Sequence, residues 1–172
     1  IFFLKKFKPW GVILFSRNIK SIIQTQKLTS KIRKLFKDSN YPILIDEEGG
    51  KVSRLNKFID NSIFSASFFS RLYIKDKKIF YIYYNVYVKQ ICYLLNLLGI
   101  NINTIPILDV KRKITNNIIG NRSFSSNPVT VSKLGKICIN KFHENHIATV
   151  TKHIPGHGLS KVDSHNKLPV VN

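Results

Sequence analysis

The sequence predicts a parallel α/β fold, and three observations carry that reading. Short apolar runs alternate with longer stretches of helical period. The first run, Trp10-Gly11-Val12-Ile13-Leu14-Phe15, is apolar almost throughout, as a strand buried on both faces should be. Acidic residues, of which there are only nine, stand just past the ends of such runs: Asp46-Glu47-Glu48 after Tyr41–Ile45, and Asp109 after Thr104–Leu108. Strand, helix, strand, helix in repetition means parallel strands joined by helical crossovers.

Each element has a local reason. After the Trp10–Phe15 strand, a helix is expected from Asn18 to about Lys37, with Leu28, Ile32, Leu35 and Phe36 on one face. Asp38-Ser39-Asn40 break it. Tyr41–Ile45 is the second strand, with Pro42 tolerable at its start. A less regular stretch runs from Gly49 to about Lys75. A long helix follows, about Lys78 to Leu98, with Tyr84, Val88, Ile91, Leu95 and Leu98 in one stripe and Gly99 as its stop. Thr104–Leu108 is the third strand. Asn127 and Pro128 open another helix as cap and first residue, with Val131, Leu134, Cys138 and Phe142 inward. Ile147–Val150 is the last strand. An open doubly wound sheet and a (β/α)8 barrel both fit this pattern. A complete barrel needs roughly 200 to 250 residues, so in 172 residues a barrel would be incomplete.

Composition narrows the function classes. The apolar fraction of 44% excludes a disordered chain, and no apolar run of membrane-spanning length occurs. The chain holds no Met and starts at Ile1, which is expected of a chain cut or begun inside a longer one. The formal charge of +19 admits nucleic acid or an anionic surface as partner. Against that, the lysines are spread from Lys5 to Lys167 without a dense block. Lys, Asn, Ile, Phe and Tyr are all abundant, which is the signature of A+T-rich codons. Cys92 and Cys138 lie in apolar helical stretches at no metal-binding spacing, so free buried thiols in a reducing cytoplasm are expected.

The chemistry concentrates at the expected strand ends, which in a parallel α/β fold all face one side. All five histidines lie between His143 and His165. Lys152-His153-Ile154-Pro155-Gly156-His157-Gly158 follows the last strand, and Asp163-Ser164-His165 comes soon after. An Asp two residues from a His can bond the imidazole and fix its tautomer. Zinc is the rival reading, with His153, His157, Asp163 and His165 as ligands, but the spacing matches no helical metal motif. Arg54 and Arg122 stand near the acidic segments, where each can pair with a carboxylate or hold a polar ligand. Taken singly, each is more often a surface charge; Asp109 alone has helix capping as an alternative, but two strands each delivering an Asp, Asp46 and Asp109, to one side is a functional signal.

Five blocks then occur in order: Gly11-Val12-Ile13-Leu14-Phe15-Ser16-Arg17-Asn18, Ile45-Asp46-Glu47-Glu48-Gly49-Gly50-Lys51-Val52-Ser53-Arg54-Leu55, Pro106-Ile107-Leu108-Asp109-Val110, Ile119-Gly120-Asn121-Arg122-Ser123-Phe124, and the histidine-rich run through Asp163-Ser164-His165. This set resembles family three of the glycoside hydrolases, in its β-N-acetylhexosaminidase branch, over nearly the whole chain. The resemblance implies a (β/α)8 TIM-type barrel, incomplete at both ends, with residues 1–172 as the N-terminal part of a single barrel domain. It implies a retaining glycosidase of cell-wall (peptidoglycan) recycling that removes terminal N-acetylglucosamine. His165 would be the general acid and base, assisted by Asp163. Asp46, Arg54, Arg122, Lys152 and His153 would bind substrate. No metal or other cofactor is implied. The expected partner is an N-acetylglucosamine-containing glycan or muropeptide, with neither nucleic acid nor membrane, and the expected compartment is the cytoplasm. The family's nucleophilic Asp lies beyond the Asp-Ser-His block, where this chain has no matching acid. An inactive remnant, a sugar-binding module and a basic nucleic-acid binder are the alternatives. Departures from the pattern are Glu47 where Gln is commoner, Lys51 for Arg, Ile154 for Phe and Thr151 for Gly. An open half barrel of this kind is expected to fold poorly alone.

Overall fold

A computed structural model describes residues 2–170. The elements in chain order are helix α1 (Phe2–Phe7), strand β1 (Val12–Leu14), helix α2 (Ile22–Phe36), strand β2 (Ile43–Ile45), helices α3 (Ala66–Lys75) and α4 (Lys77–Leu97), strand β3 (Ile102–Asn103), helix α5 (Pro128–His143) and strand β4 (Ala148–Thr149). The sheet order is β1-β2-β3-β4, and every pairing is parallel. That order decides between the two architectures left open by the sequence. A doubly wound sheet reverses its order at a switch point, whereas a barrel adds each strand beside the last. The four strands run as consecutive barrel staves.

Register assigns the two faces. Ile13, Leu44, Ile102 and Ala148 form one row across the sheet, and Leu14, Ile45, Asn103 and Thr149 form the next. Successive residues point to opposite faces, so these rows lie on opposite sides. Leu14, Ile43 and Ile45 are buried in the core with Val88, Ile91 and Leu95 of α4 and Leu134 and Cys138 of α5. On the other side Ile13 is 41% exposed. The helices thus cover one face, and the opposite face is the concave wall.

The helix ends follow the local chemistry. Ser21, Ser65, Asp76 and Asn127 cap α2, α3, α4 and α5, each accepting a hydrogen bond from a first-turn amide. Gly99 follows α4 at φ +71°, where its missing Cβ also leaves room for Thr29 and Arg33. Thr29 and Gln26 donate to the Leu98 and Leu97 carbonyls, joining α2 to the end of α4. All five residues of the expected α4 stripe are buried.

Three elements differ from expectation, the first being helix α1, which stands where no element was expected. The irregular stretch before Lys75 holds α3, whose Phe69 packs against Phe80, Tyr84 and Tyr87 of α4. The β3 ladder occupies Ile102–Asn103 rather than Thr104–Leu108. Asn103 pairs with Thr149, yet the next bridge joins Ile107 to Lys152, so β3 carries one extra residue between the two contacts. That is a bulge, placed where Pro106 has no amide hydrogen to donate. Thr104 to Ile107 are buried even so, and Leu108 is half-buried.

Candidate active site

Strand alternation continues past β2 and builds the site. Ile43, Ile45 and Glu47 are buried on the helix side, while Leu44, Asp46 and Glu48 fall on the concave side. By the same alternation Thr104 follows Ile102, and Lys152 stands four residues beyond Ala148. Asn103 anchors the arrangement from below. Fully buried, it accepts from the Glu47 amide at 3.0 Å and donates to the Glu47 carbonyl at 2.8 Å. It therefore continues the β2–β3 ladder with a side chain.

A charge network closes over this base. Lys152 Nζ donates to Asp46 Oδ1 at 2.8 Å and to the Thr104 hydroxyl at 3.0 Å, and it lies 2.8 Å from Glu48 Oε1. The Thr104 hydroxyl donates in turn to Asp46. Arg122 grips Glu48 with two parallel bonds, Nε to Oε2 at 2.7 Å and Nη2 to Oε1 at 2.9 Å. Arg54 Nη2 approaches Asp46 Oδ2 at 3.6 Å. Burial opposes the charge on Asp46, but hydrogen bonds from Lys152 and Thr104 and the cations of Lys152 and Arg54 outweigh it, holding the carboxyl below its usual range. Burial likewise opposes the Arg122 charge, and its bonds to Glu48 more than restore it.

Glu47 behaves in the opposite way. Burial pushes its carboxyl up, against hydrogen bonds from the Arg54 and Leu55 amides, Ser53 and Asn61. Those bonds fix the turn that carries Arg54 to the cleft. Glu47 is thus a structural clamp beneath the site rather than a member of it.

The histidine loop is organised by Asp109. Its side chain is wholly buried and lies 2.6 Å from His153 Nδ1, while the amides of His157 and Gly158 donate to its other oxygen. Burial resists its charge, but His153 and the two amides hold its carboxyl below the usual range. An ionised carboxylate only accepts, so His153 donates to it from Nδ1. Gly158 is required here, since a Cβ would stand 2.2 Å from the Val110 carbonyl.

The last pair is local and exposed. His165 Nδ1 lies 2.7 Å from Asp163 Oδ1, which also accepts the His165 amide at 2.9 Å. The His165 side chain is 78% exposed. Its amide and ring, in that order, keep the Asp163 carboxyl below its ordinary range.

Asp46, Arg54, Arg122, Lys152, His153, Asp163 and His165 all line one cleft of about 790 Å³. The structure therefore brings together every site residue expected from the sequence. Arg122, expected to be a surface charge if taken alone, is only 13% exposed. Glu48, Thr104 and Asp109 were not assigned site roles, yet each holds one of those residues in place. Among the described residues no group of three or more His, Cys, Asp or Glu is clustered to hold a metal.

The sequence profile described as the Glycosyl hydrolase family 3 N terminal domain matches residues 3–172. The chain belongs to that family. It is 35% identical over 98% of its length to Beta-hexosaminidase A of Pseudoalteromonas piscicida, covering 28% of that protein. To Beta-hexosaminidase of Hydrogenovibrio crunogenus it is 33% identical over 93% of its length, covering 44% of that relative. Among solved structures it is similar to native NagZ from Neisseria gonorrhoeae, with TM-score 0.80, 30% identity, and coverage of 93% of this chain and 46% of the other. The same enzyme in complex with N-trifluoroacetyl-D-glucosamine gives TM-score 0.77 at 30% identity, covering 93% and 47%. This chain thus spans less than half of these relatives. The barrel-type order of its strands agrees with the family fold.

Proposed function

We propose that these residues form the sugar-binding wall and the proton-transfer pair of a retaining β-N-acetylhexosaminidase. The observation that carries the reading is the convergence of seven side chains, scattered from Asp46 to His165, on one cleft. Asp46 accepts from sugar hydroxyls, while Arg54, Arg122 and Lys152 donate to them. His153, with Nδ1 held by Asp109, offers Nε2 as a hydroxyl acceptor. The relatives' names and the N-trifluoroacetyl-D-glucosamine ligand of the Neisseria enzyme support an N-acetylglucosamine unit as occupant. A terminal residue on a cell-wall muropeptide is the proposed substrate.

Protonated His165 donates from Nε2 to the glycosidic oxygen as the bond to the anomeric carbon breaks. A carboxylate attacks that carbon from the opposite face and forms a glycosyl-enzyme. The neutral imidazole then takes a proton from water, whose oxygen releases the sugar with net retention. Asp163 holds the ring in one tautomer throughout and stabilises its charged form. Asp46 and Glu48 are both committed to cations, and Asp163 to His165. None of them is free to attack. The nucleophile is proposed to come from the part of the barrel that the longer relatives have and these residues do not include.

The two cysteines, buried and free, fit a reducing cytoplasm, and no helix among the described residues is long and apolar enough to cross a membrane. The test is hydrolysis of 4-nitrophenyl N-acetyl-β-D-glucosaminide by the full-length protein. Nitrophenol release with a β-configured first product supports the reading. N-acetylglucosamine binding without release would leave a sugar-binding module, and neither binding nor release would refute the proposal.

A further inference from the structure

Helix α4 is apolar on two sides. Its inner side forms the core. On its outer side Ile79, Ile82, Tyr83, Val86 and Tyr93 are 42, 55, 57, 61 and 67% exposed. Their spacing places them on one line of the helix, about 20 Å long at 1.5 Å per residue. A helix in the outer ring of a barrel ordinarily turns a polar face outward; here the apolar residues are continuous from Ile79 to Val86, with Lys89 and Gln90 before Tyr93, and such a surface marks an interaction site. Further strands and helices would add beyond β1 or β4. Helix α4 joins the two middle strands, so barrel elements added at either edge of the sheet would not pack on its outer side.

The surroundings indicate what covers it. Helices α2, α4 and α5 contain no Asp or Glu at all. Lys27, Lys31 and Lys34 are exposed on α2, and Lys133 and Lys136 on α5, the helices that flank α4. Lysines that are spread along the sequence are gathered by the fold into rows beside an apolar stripe. Nucleic acid would match the lysines and leave the stripe wet. A second copy docked on the same face would oppose lysine to lysine. An anionic bilayer satisfies both features, with aliphatic and Tyr side chains at the headgroup boundary and lysines on the headgroups.

We propose that the outer face of α4, framed by the lysines of α2 and α5, docks on the surface of an anionic bilayer. The chain lies on that surface without spanning it, so the expectation of no membrane partner, which rested on spans, did not address this mode.

The experiment is flotation of the full-length protein with vesicles of equal parts phosphatidylglycerol and phosphatidylcholine, and with phosphatidylcholine alone. Two double variants are compared, Ile82→Asp with Val86→Asp and Lys31→Glu with Lys136→Glu. All four residues are exposed and remote from the cleft, and an unchanged thermal transition confirms folding. The proposal expects partition onto the anionic vesicles only, weakened about tenfold or more by either double variant and by salt. No partition by the unmodified protein, or partition indifferent to the apolar variants, would overturn it. Self-association abolished by those apolar variants would reassign the stripe to a second copy. RNA binding that survives them, without vesicle binding, would reassign the lysines.

Discussion

The two sides of the cleft are built differently. The wall of Asp46, Glu48, Arg122 and Lys152 joins residues as far apart as 106 positions in sequence, and its members are mostly covered. The pair of Asp163 and His165 is two residues apart, with the imidazole largely in solvent. Long-range pairs exist only when the strands are in register, so the wall reports on the fold. The local pair forms wherever its short loop is intact. Binding geometry and stability should therefore fail together on one side, and proton transfer alone on the other.

The largest expected effect separates them most sharply. In the full-length protein, His165→Ala should lower kcat on the nitrophenyl glycoside by about 10² to 10⁴-fold. KM and thermal midpoint should stay nearly unchanged, because an exposed side chain is removed. Equal losses in stability would erase the distinction. On the wall, Lys152→Ala strips Asp46 and Glu48 of a shared cation. It should destabilise by about 3 kcal/mol in denaturant titration and abolish N-acetylglucosamine binding in calorimetry. Beneath the wall, Asn103→Leu leaves the Glu47 amide and carbonyl unpaired in the core, at a cost of about 2 kcal/mol, and should weaken sugar binding through displaced Asp46. If stability falls without any loss of affinity, the wall does not depend on its foundation.

The smallest effect has a sign that depends on pH. Asp46 and Asp109 have folded pKa values below their ordinary ones. Their stabilisation is present above the ordinary carboxylate range and is lost as pH falls from there through the lower folded values. Glu47 is raised, so its contribution is full below its ordinary pKa and lost as pH rises through the folded value. Glu47→Gln removes that loss, and once the Asn61 amide turns over, the Gln amide can donate to Asn61 Oδ1, which is otherwise buried without a partner. The variant should raise the thermal midpoint at pH 7 more than at pH 4. An equal shift at both would show that charge on Glu47 has no role.

Much of this was legible in the sequence, and the period of two explains how. Once Tyr41–Ile45 reads as a strand, alternation alone puts Asp46 and Glu48 on one face and Glu47 on the other. Asp163 and His165 were legible because their contact is local. The β3 register was not, since a bulge is defined only against the partner strands. Helix α3 was missed because it is only ten residues long and runs almost directly into α4, although Ser65 offered a cap. Glu48, Thr104 and Asp109 are partner residues, and their roles appear only when strands distant in sequence are laid side by side. The outer stripe of α4 was hidden by the inner one, because a helix apolar on both sides shows no clear polar face.

A crystal structure of the full-length protein with N-acetylglucosamine is the decisive measurement. The sugar should lie in the cleft, with its hydroxyls within about 3 Å of Asp46, Arg122 and Lys152 and its anomeric oxygen turned toward His165. A sugar bound elsewhere, or one seated here with its anomeric oxygen directed away from the imidazole, would contradict the account.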